Sequence, residues 1–209
     1  MKFKLLKKHK KDSTKWLSRH INDEFVLKSK KEGFRSRSSY KLIQINQKFN
    51  FLNSSKNILD LGCAPGGWLQ VSKKFTPINS KILGVDKLNI ESIPGVNFYK
   101  GDIFEDEVIN YIKSFFEKKI DLLISDMSPN STGNKKVDHL RILSLVERVV
   151  DISNLFPKRE GFIVIKIFQG GMYGDLMISL KESLKNIKNF KPRASRKESP
   201  EMYLIAQKK

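Results

Sequence analysis

The sequence predicts an α/β fold in which a doubly wound, Rossmann-like sheet carries helices on both faces. Short apolar runs alternate with helical stretches from residue 57 onward, which is the order of elements in sheets built largely from parallel strands. The runs are continuously apolar, as expected for strands that are buried on both faces. The predicted strands are 57–61, 81–86, 96–100, 120–126, 161–168, a short segment around Phe190, and 201–207.

The spacing of apolar residues between these strands predicts helices. They cover about 66–75, 105–118, 138–155 and 174–187. An amphipathic helix is also predicted within 34–52, where Ser36 or Ser38 can cap its start. Residues 1–33 are strongly basic and lack a clear period, so we divide the chain into a basic N-terminal arm, 1–33, and an α/β domain, 34–209.

Charge and composition limit the classes of function. The 209 residues include 40 Lys and Arg against 22 Asp and Glu, a net charge of +18 that indicates a nucleic acid or an anionic membrane as partner. No apolar run approaches the roughly 20 residues that cross a bilayer, and no secretory signal is present.

Cys63 is the single cysteine, so no internal disulfide can form, and the three histidines do not cluster with it at metal-ligand spacing. We therefore expect no metal site.

The segment DLGCAPGGW, after the first predicted strand, has the pattern of a ligand-binding loop. Asp60 closes the strand, Gly62, Gly66 and Gly67 form a turn, and a helix follows from about Trp68. Glycines allow a sharp turn and a close approach of ligand to backbone, although a tight turn without a ligand would also use them. A carboxylate at the start of the loop would repel a pyrophosphate but suits a cationic amino-acid tail. This favours S-adenosylmethionine over NAD as the cofactor.

Two further acids end the next predicted strands. Asp86 lies 26 residues after Asp60, where a carboxylate can hold the two hydroxyls of a ribose. Asp102 follows the third strand, near where an adenine amino group could be reached. Three acids at the carboxyl edge of one sheet predict a nucleoside site.

Four other charged residues have simpler interpretations when each is taken alone. Asp126 follows the fourth predicted strand in SDMSPN and could be a turn or cap aspartate. Lys166 lies within the apolar strand FIVIKIF, where an ammonium group is costly to bury unless it is paired or deprotonated. A lysine that reaches solvent from a sheet edge is the alternative. Lys41 in SSYKL and Glu201 in SPEMYL would by default be solvated surface residues.

Together these segments resemble the FtsJ (RrmJ-type) family of RNA ribose 2′-O-methyltransferases. The matching segments run in family order from residue 33 to residue 206: GFRSRSSYKL, DLGCAPGGW, GVD, GDI, SDMSPN, VIKIFQG and SPEMYLIA. The chain departs from the bacterial prototype at Cys63, where the prototype has a small residue, and at Pro200, where it has a basic one. The resemblance implies a catalytic tetrad of Lys41, Asp126, Lys166 and Glu201. It also implies S-adenosylmethionine contacts at Gly66, Trp68, Asp86, Asp102 and Asp126, with Asp60, Gly62 and Gly67 in the same loop motif.

The resemblance also implies a reaction and a partner. A methyl group would pass from S-adenosylmethionine to a ribose 2′-hydroxyl, and by this resemblance the acceptor is a uridine in the ribosomal RNA of the large ribosomal subunit. Lys166 would accept or orient the hydroxyl proton, Asp126 would position Lys166, and Lys41 with Glu201 would orient the ribose. We expect a monomer that needs no membrane and acts in the cytoplasm, or in an organelle if the source is eukaryotic.

Basic residues near both ends of the crevice are candidates for RNA contacts. They are Lys7, Lys8, Lys10, Lys11, Arg19, Lys28, Lys30, Lys31, Arg35, Arg37, Arg193, Arg196 and Lys197. Four alternatives stay open: methylation of transfer RNA or another RNA, a non-catalytic RNA-binding or ribosome-assembly protein, an NAD-dependent dehydrogenase, and a methyltransferase of small molecules or proteins. The last two explain less, because a dehydrogenase does not need Lys166 or SDMSPN and small substrates do not need the charge of +18.

Overall fold

The computed structural model describes residues 21–117, 119–129, 132–156, 160–169 and 173–209. It contains a seven-stranded sheet in the order β3-β2-β1-β4-β5-β7-β6. The strands are β1 (Asn57–Leu61), β2 (Lys81–Asp86), β3 (Asn97–Lys100), β4 (Leu122–Ser125), β5 (Phe162–Phe168), β6 (Leu184–Phe190) and β7 (Glu201–Lys208). The described helices are α1 (Glu24–Lys31), α2 (Ser39–Phe49), α3 (Gly67–Phe75), α4 (Asp106–Phe116), α5 (Lys135–Asn154) and α6 (Tyr173–Ser183), and a short 3-10 turn covers Leu52–Ser54.

The sheet is parallel from β3 to β5, and β7 then runs antiparallel to both β5 and β6. The predicted α/β class, with helices on both faces, is confirmed. The sheet is mixed rather than wholly parallel, since the last strand returns between β5 and β6. The chain adds β2 and β3 on one side of β1 and β4 and β5 on the other, so the strand order reverses between β1 and β4 and a crevice opens at the carboxyl ends of these strands.

Side chains on neighbouring positions of each strand enter two separate cores. Leu59 and Leu61 of β1 pack on the face covered by α4 and α5, whereas Ile58 packs on the face covered by α2 and α3. Leu42 and Ile45 of α2 are fully buried in that second core. Burial of each such side chain contributes about 1.5–3 kcal/mol. The apolar stripe of α2 therefore fixes this helix, and with it Lys41, close to the carboxyl edge of the sheet.

Two elements differ from the sequence prediction. The helix predicted over 174–187 ends at Ser183, because the chain from Leu184 pairs with β7 through a ladder that is interrupted between Lys185 and Lys188. Helix α1 was not predicted. It lies within the segment assigned to the basic arm, and the Asp23 carboxylate caps it by accepting hydrogen bonds from its first-turn amides.

The predicted arm over residues 1–20 lies outside the described residues. Within the part of the chain that the structure describes, no helix has the length and apolar character needed to cross a membrane.

Candidate active site

The carboxyl ends of the parallel strands open into a cavity of about 750 Å³. Gly62, Asp86, Asp102 and Asp126 line it, each contributed by the end of a different strand or by the residues that follow it. Other lining residues include Lys87, Leu88, Ile103, Phe104 and Arg141. Pockets for small organic ligands typically have volumes of about 300–1,000 Å³. The topology thus brings four of the predicted cofactor residues to one pocket of suitable size.

Three other predicted loop residues lie beside this cavity. Asp60, Gly67 and Trp68 border a separate pocket of about 40 Å³ that Asp126 also lines. Trp68 is buried, and its Nε1 donates a hydrogen bond to the carbonyl of Ser38 at 2.9 Å. Trp68 therefore joins helix α3 to the segment that leads into α2.

The backbone of the loop requires glycine at two positions. Gly62 has φ +74° and Gly66 has φ +102°, a region that residues with a Cβ rarely adopt. A Cβ on Gly62 would overlap the Met127 side chain, which lines the cavity. A Cβ on Gly66 would lie 2.8 Å from Nη1 of Arg35. Gly66 thus faces the Arg35 side chain and is not among the residues that line either pocket.

Asp60 is a buried acid, and one of its carboxylate oxygens is unpartnered within the described part of the chain. It is 1% exposed, and its Oδ2 has no hydrogen-bond partner among the described residues. Burial, reinforced by the nearby carboxylates of Asp126 and Asp86, raises the pKa of Asp60 well above its ordinary value. An unpartnered buried oxygen beside a pocket fits the ammonium end of an amino-acid tail, and such a cation would favour ionisation of this carboxyl group.

Asp86 and Asp102 present acceptors to the large cavity. Asp86 accepts hydrogen bonds from the amides of Ala64 at 2.9 Å and Leu88 at 2.8 Å, so its carboxylate is fixed in place. Asp102 lies 2.6 Å from Nζ of Lys87. Partial burial raises the pKa of Asp102, but its bonds to Lys87 and to the Phe104 amide outweigh burial and hold the pKa below its ordinary value. Both groups can accept hydrogen bonds from the hydroxyl or amino groups of a nucleoside.

The four residues of the predicted tetrad meet at one end of this crevice. Nζ of Lys166 lies 3.1 Å from Oδ1 of Asp126 and also donates a short hydrogen bond to the Asp126 carbonyl. Nζ of Lys41 lies 2.8 Å from Oε1 of Glu201 and 3.8 Å from Oδ1 of Asp126. The side chains are only 9–17% exposed. Lys166 is therefore a buried, paired lysine rather than one that reaches bulk solvent.

Tyr203 belongs to the same cluster, and the sequence analysis missed it. Its hydroxyl donates a hydrogen bond of 2.5 Å to Oδ1 of Asp126. Burial, with the charges of Asp126 and Glu201, raises the pKa of Tyr203 well above its ordinary value, so the hydroxyl keeps its proton. A signal was available, since Tyr203 and Glu201 are two residues apart on one strand and share a face. The cross-strand register, which opposes Tyr203 to Lys166, could not be read from the sequence.

Two arginines that were predicted to contact RNA are held by protein groups. Arg35 donates hydrogen bonds to three backbone carbonyls. Arg37 donates to the carbonyl of Ala194 at 2.7 Å and lies 3.2 Å from Asp23. Arg193, by contrast, is 81% exposed. The candidates Lys7, Lys8, Lys10, Lys11 and Arg19 lie outside the described residues.

A second cavity of about 310 Å³ adjoins the tetrad. It is bordered by Lys41 and Glu201, and the remaining lining residues are Arg37, Arg196, Glu198 and Ser199. The tetrad thus lies between a cavity lined by acidic strand ends and a cavity lined by basic and acidic residues from the start of α2, the loop before β7 and the first residue of β7.

Comparison with known proteins identifies the family. The family model described as FtsJ-like methyltransferase matches residues 34–209. The chain belongs to the FtsJ-like methyltransferase family. It is 43% identical over 206 residues to "Ribosomal RNA large subunit methyltransferase E" of Novosphingobium aromaticivorans, a match that covers 99% of this chain and 92% of the relative. A protein of the same name from Rickettsia akari is 41% identical over 211 residues, covering 99% and 93%.

A solved structure supports the same assignment. A protein described as a ribosomal RNA methyltransferase from Plasmodium falciparum superposes with a TM-score of 0.75 at 33% identity, covering 84% of this chain and 98% of that one. This FtsJ-like chain is thus a methyltransferase, as its sequence motifs indicated. Among the residues that the structure describes, no group of three His, Cys, Asp or Glu side chains could hold a metal ion.

Proposed function

We propose that this FtsJ-like methyltransferase moves a methyl group from S-adenosylmethionine to a ribose 2′-hydroxyl of large-subunit ribosomal RNA, at a uridine. The arrangement of Lys41, Asp126, Lys166 and Glu201 between two cavities carries the proposal. The 750 Å³ cavity would hold the methyl donor and the 310 Å³ cavity the acceptor nucleotide. A methyl group can pass directly between ligands that meet at the tetrad.

The 750 Å³ cavity and the small pocket beside it together present carboxylates that suit the polar groups of S-adenosylmethionine. Asp86 would hold the ribose hydroxyls, Asp102 the adenine amino group, and Asp60 the ammonium of the amino-acid tail. Exposed apolar surfaces of Leu88 and Phe104 border the same cavity and suit the faces of a purine ring. When bound, S-adenosylmethionine supplies an electrophilic methyl group on a sulfonium.

The tetrad would prepare the acceptor hydroxyl. A ribose hydroxyl is a weak nucleophile that must lose its proton as the new C–O bond forms and the C–S bond to the methyl group breaks, which releases S-adenosylhomocysteine. Nζ of Lys166 would take that proton when the amine is neutral, or would orient the oxygen as an ammonium. The short contacts of Lys166 to the side chain and carbonyl of Asp126 fix its position in either case. Lys41, paired to Glu201, would hold the ribose from the side of the second cavity.

The choice of ribosomal RNA rests on charge and on relatives. The curated relatives carry large-subunit ribosomal RNA in their names. A net charge of +18 suits a polyanionic partner, whose affinity should fall steeply with salt because each phosphate contact releases a counterion. The enzyme would act in the compartment that holds the ribosomes.

The test compares the rate of methyl transfer by the wild type and by Lys166→Ala, with labelled S-adenosylmethionine as donor. The substrates are purified large subunits, small subunits, free ribosomal RNA and transfer RNA. Loss of the proton acceptor should lower the rate about 10²–10⁴-fold. Donor affinity, measured by calorimetry, should stay within twofold, because Lys166 does not line the large cavity. The control variant Lys81→Ala removes an exposed lysine far from the crevice and should keep full activity.

Mapping the modified nucleotide decides the substrate. Incorporation at one uridine ribose of the large subunit supports the proposal, whereas incorporation only into transfer RNA overturns that part of it. Near-wild-type turnover by Lys166→Ala would remove Lys166 from the mechanism.

A further inference from the structure

We propose that Arg35 is a positioning residue of the donor site, which clamps the two loops that form the donor cavity without touching the ligand. The inference rests on the proposed function, since it assigns the 750 Å³ cavity to the methyl donor. It also reassigns Arg35, which the sequence had suggested as an RNA contact.

The guanidinium of Arg35 joins two loops that are distant in sequence. Nη1 donates to the carbonyl of Pro65 at 3.1 Å and to that of Glu91 at 2.7 Å. Nη2 donates to the carbonyl of Ser92 at 3.0 Å. Pro65 belongs to the glycine loop after β1, and Glu91 and Ser92 belong to the loop after β2. One planar group therefore ties both loops together.

The glycine loop also contacts the end of β2, from which the second loop starts, and this contact lies at the cavity. The Ala64 amide donates to Oδ2 of Asp86, and both residues line the cavity, whereas Arg35 is not among the lining residues. The Asp86 contact fixes the carboxylate proposed for the donor ribose. Arg35 would support that contact from outside the cavity, because its bonds restrain the chain at Pro65, one residue after Ala64, and at Glu91, in the loop that follows Asp86.

The position of Arg35 is itself fixed by the helix after the glycine loop. The Arg35 amide donates to Oε1 of Gln70 at 2.8 Å, and Nε2 of Gln70 donates to the Gly33 carbonyl at 2.9 Å. Gly66 leaves room for the guanidinium, because a Cβ there would lie 2.8 Å from Nη1. The segment before α2 is thus attached to both parts of the strand–loop–helix unit.

An RNA contact would use Arg35 differently. Its side chain is 18% exposed, and three of its N–H groups are directed at carbonyls. A contact to Glu91 at 3.9 Å, with that side chain 94% exposed, adds little. A lysine would keep the charge that attracts phosphate, but its single ammonium cannot reproduce the set of hydrogen bonds that a planar guanidinium donates. The substitution Arg35→Lys therefore separates a clamp from a phosphate contact.

The experiment measures three properties of Arg35→Lys and Arg35→Ala in the full chain. Affinity for S-adenosylhomocysteine is measured by calorimetry, affinity for ribosomal RNA by filter binding without donor, and backbone exposure by hydrogen exchange of peptides covering 62–67 and 87–96. Both variants should bind the analogue about 10–100-fold more weakly and exchange about tenfold faster in these peptides, since charge-assisted hydrogen bonds are lost. Arg35→Lys should keep its RNA affinity within twofold.

Arg193→Ala is the matched control, because it removes an arginine that is 81% exposed. It should leave analogue affinity and exchange of both peptides unchanged. Wild-type analogue affinity and exchange in Arg35→Lys, or a loss confined to RNA affinity, would overturn the clamp. If the wild type itself fails to bind the analogue, the proposed function fails, while hydrogen exchange still decides whether Arg35 holds the loops.

Discussion

Asp126 carries most of the electrostatic stabilisation of the tetrad, and Asp126→Asn tests this role. Its Oδ1 lies 3.1 Å from Nζ of Lys166 and 3.8 Å from Nζ of Lys41. At an effective dielectric constant of about 20, these distances correspond to attractions of about 5 and about 4 kcal/mol. The carboxylate is 17% exposed, so solvent and its own desolvation offset part of this sum. We expect a net loss of about 2–4 kcal/mol, as is typical when one partner of a buried pair is removed.

The assay is thermal unfolding of Asp126→Asn beside the matched variant Glu201→Gln. For a chain of this size, each kcal/mol lowers the midpoint by about 2–4 °C, so Asp126→Asn should melt about 4–16 °C below the wild type. Glu201→Gln should lose less, because among the described residues the Glu201 carboxylate pairs with one lysine, Lys41, and Lys41 still lies within 3.8 Å of Asp126. Asn keeps an oxygen that can accept the hydrogen bond from Tyr203, so the variant tests charge rather than that bond. An Asp126→Asn protein that melts at or above the wild-type temperature would refute the assigned role.

Two further predictions concern Asp60 and Gly62 of the glycine loop. Because the pKa of Asp60 is raised in the folded protein, the folded protein keeps a proton that the unfolded chain releases above about pH 4. This acid therefore makes the protein less stable as pH rises. The free energy of unfolding falls by at most about 1.4 kcal/mol per pH unit. Calorimetry should therefore show that the difference between the melting temperatures of Asp60→Asn and the wild type grows in favour of the variant from pH 5 to pH 8. A difference that does not change with pH would contradict this. Gly62→Ala should weaken donor-analogue binding at least tenfold, because a Cβ at φ +74° would overlap Met127, and unchanged affinity would show that the loop adapts.

The sequence was sufficient for the parts of the fold that depend on local pattern. Continuous apolar runs placed β1 and β2 at their observed bounds, and the glycine loop followed from DLGCAPGGW. The predicted boundary between α6 and β6 was wrong, because the segment from Leu184 has no strong hydrophobic period of its own. Its strand conformation comes from pairing with β7, a long-range contact that no local window contains.

The site could be predicted in its charged residues but not in its supporting contacts. Asp126 and Lys166 stand out because each is a charge at or within an apolar strand. Arg35 does not stand out, because an arginine in a basic segment is ordinary, and the one signal for Tyr203 is its two-residue spacing from Glu201 on a strand. Their roles arise from distances across the sheet and between loops, namely Tyr203 to Asp126 and Arg35 to Pro65. Such distances depend on topology, which a list of residues does not contain.

The pairing within the tetrad explains why two acids accompany two lysines in a chain that carries a net charge of +18. Basic surface residues attract RNA by their charge. Physiological salt screens this attraction at distances greater than about 8 Å. Within the tetrad, each lysine nitrogen lies close to a carboxylate, Lys41 to Glu201 at 2.8 Å and Lys166 to Asp126 at 3.1 Å, so each basic side chain is matched by a nearby acid. A phosphate that entered the tetrad would have to displace a carboxylate, whereas an uncharged ribose hydroxyl would not. Under the proposed function, the acids would therefore leave phosphates to the surface and admit the neutral ribose hydroxyl to Lys166.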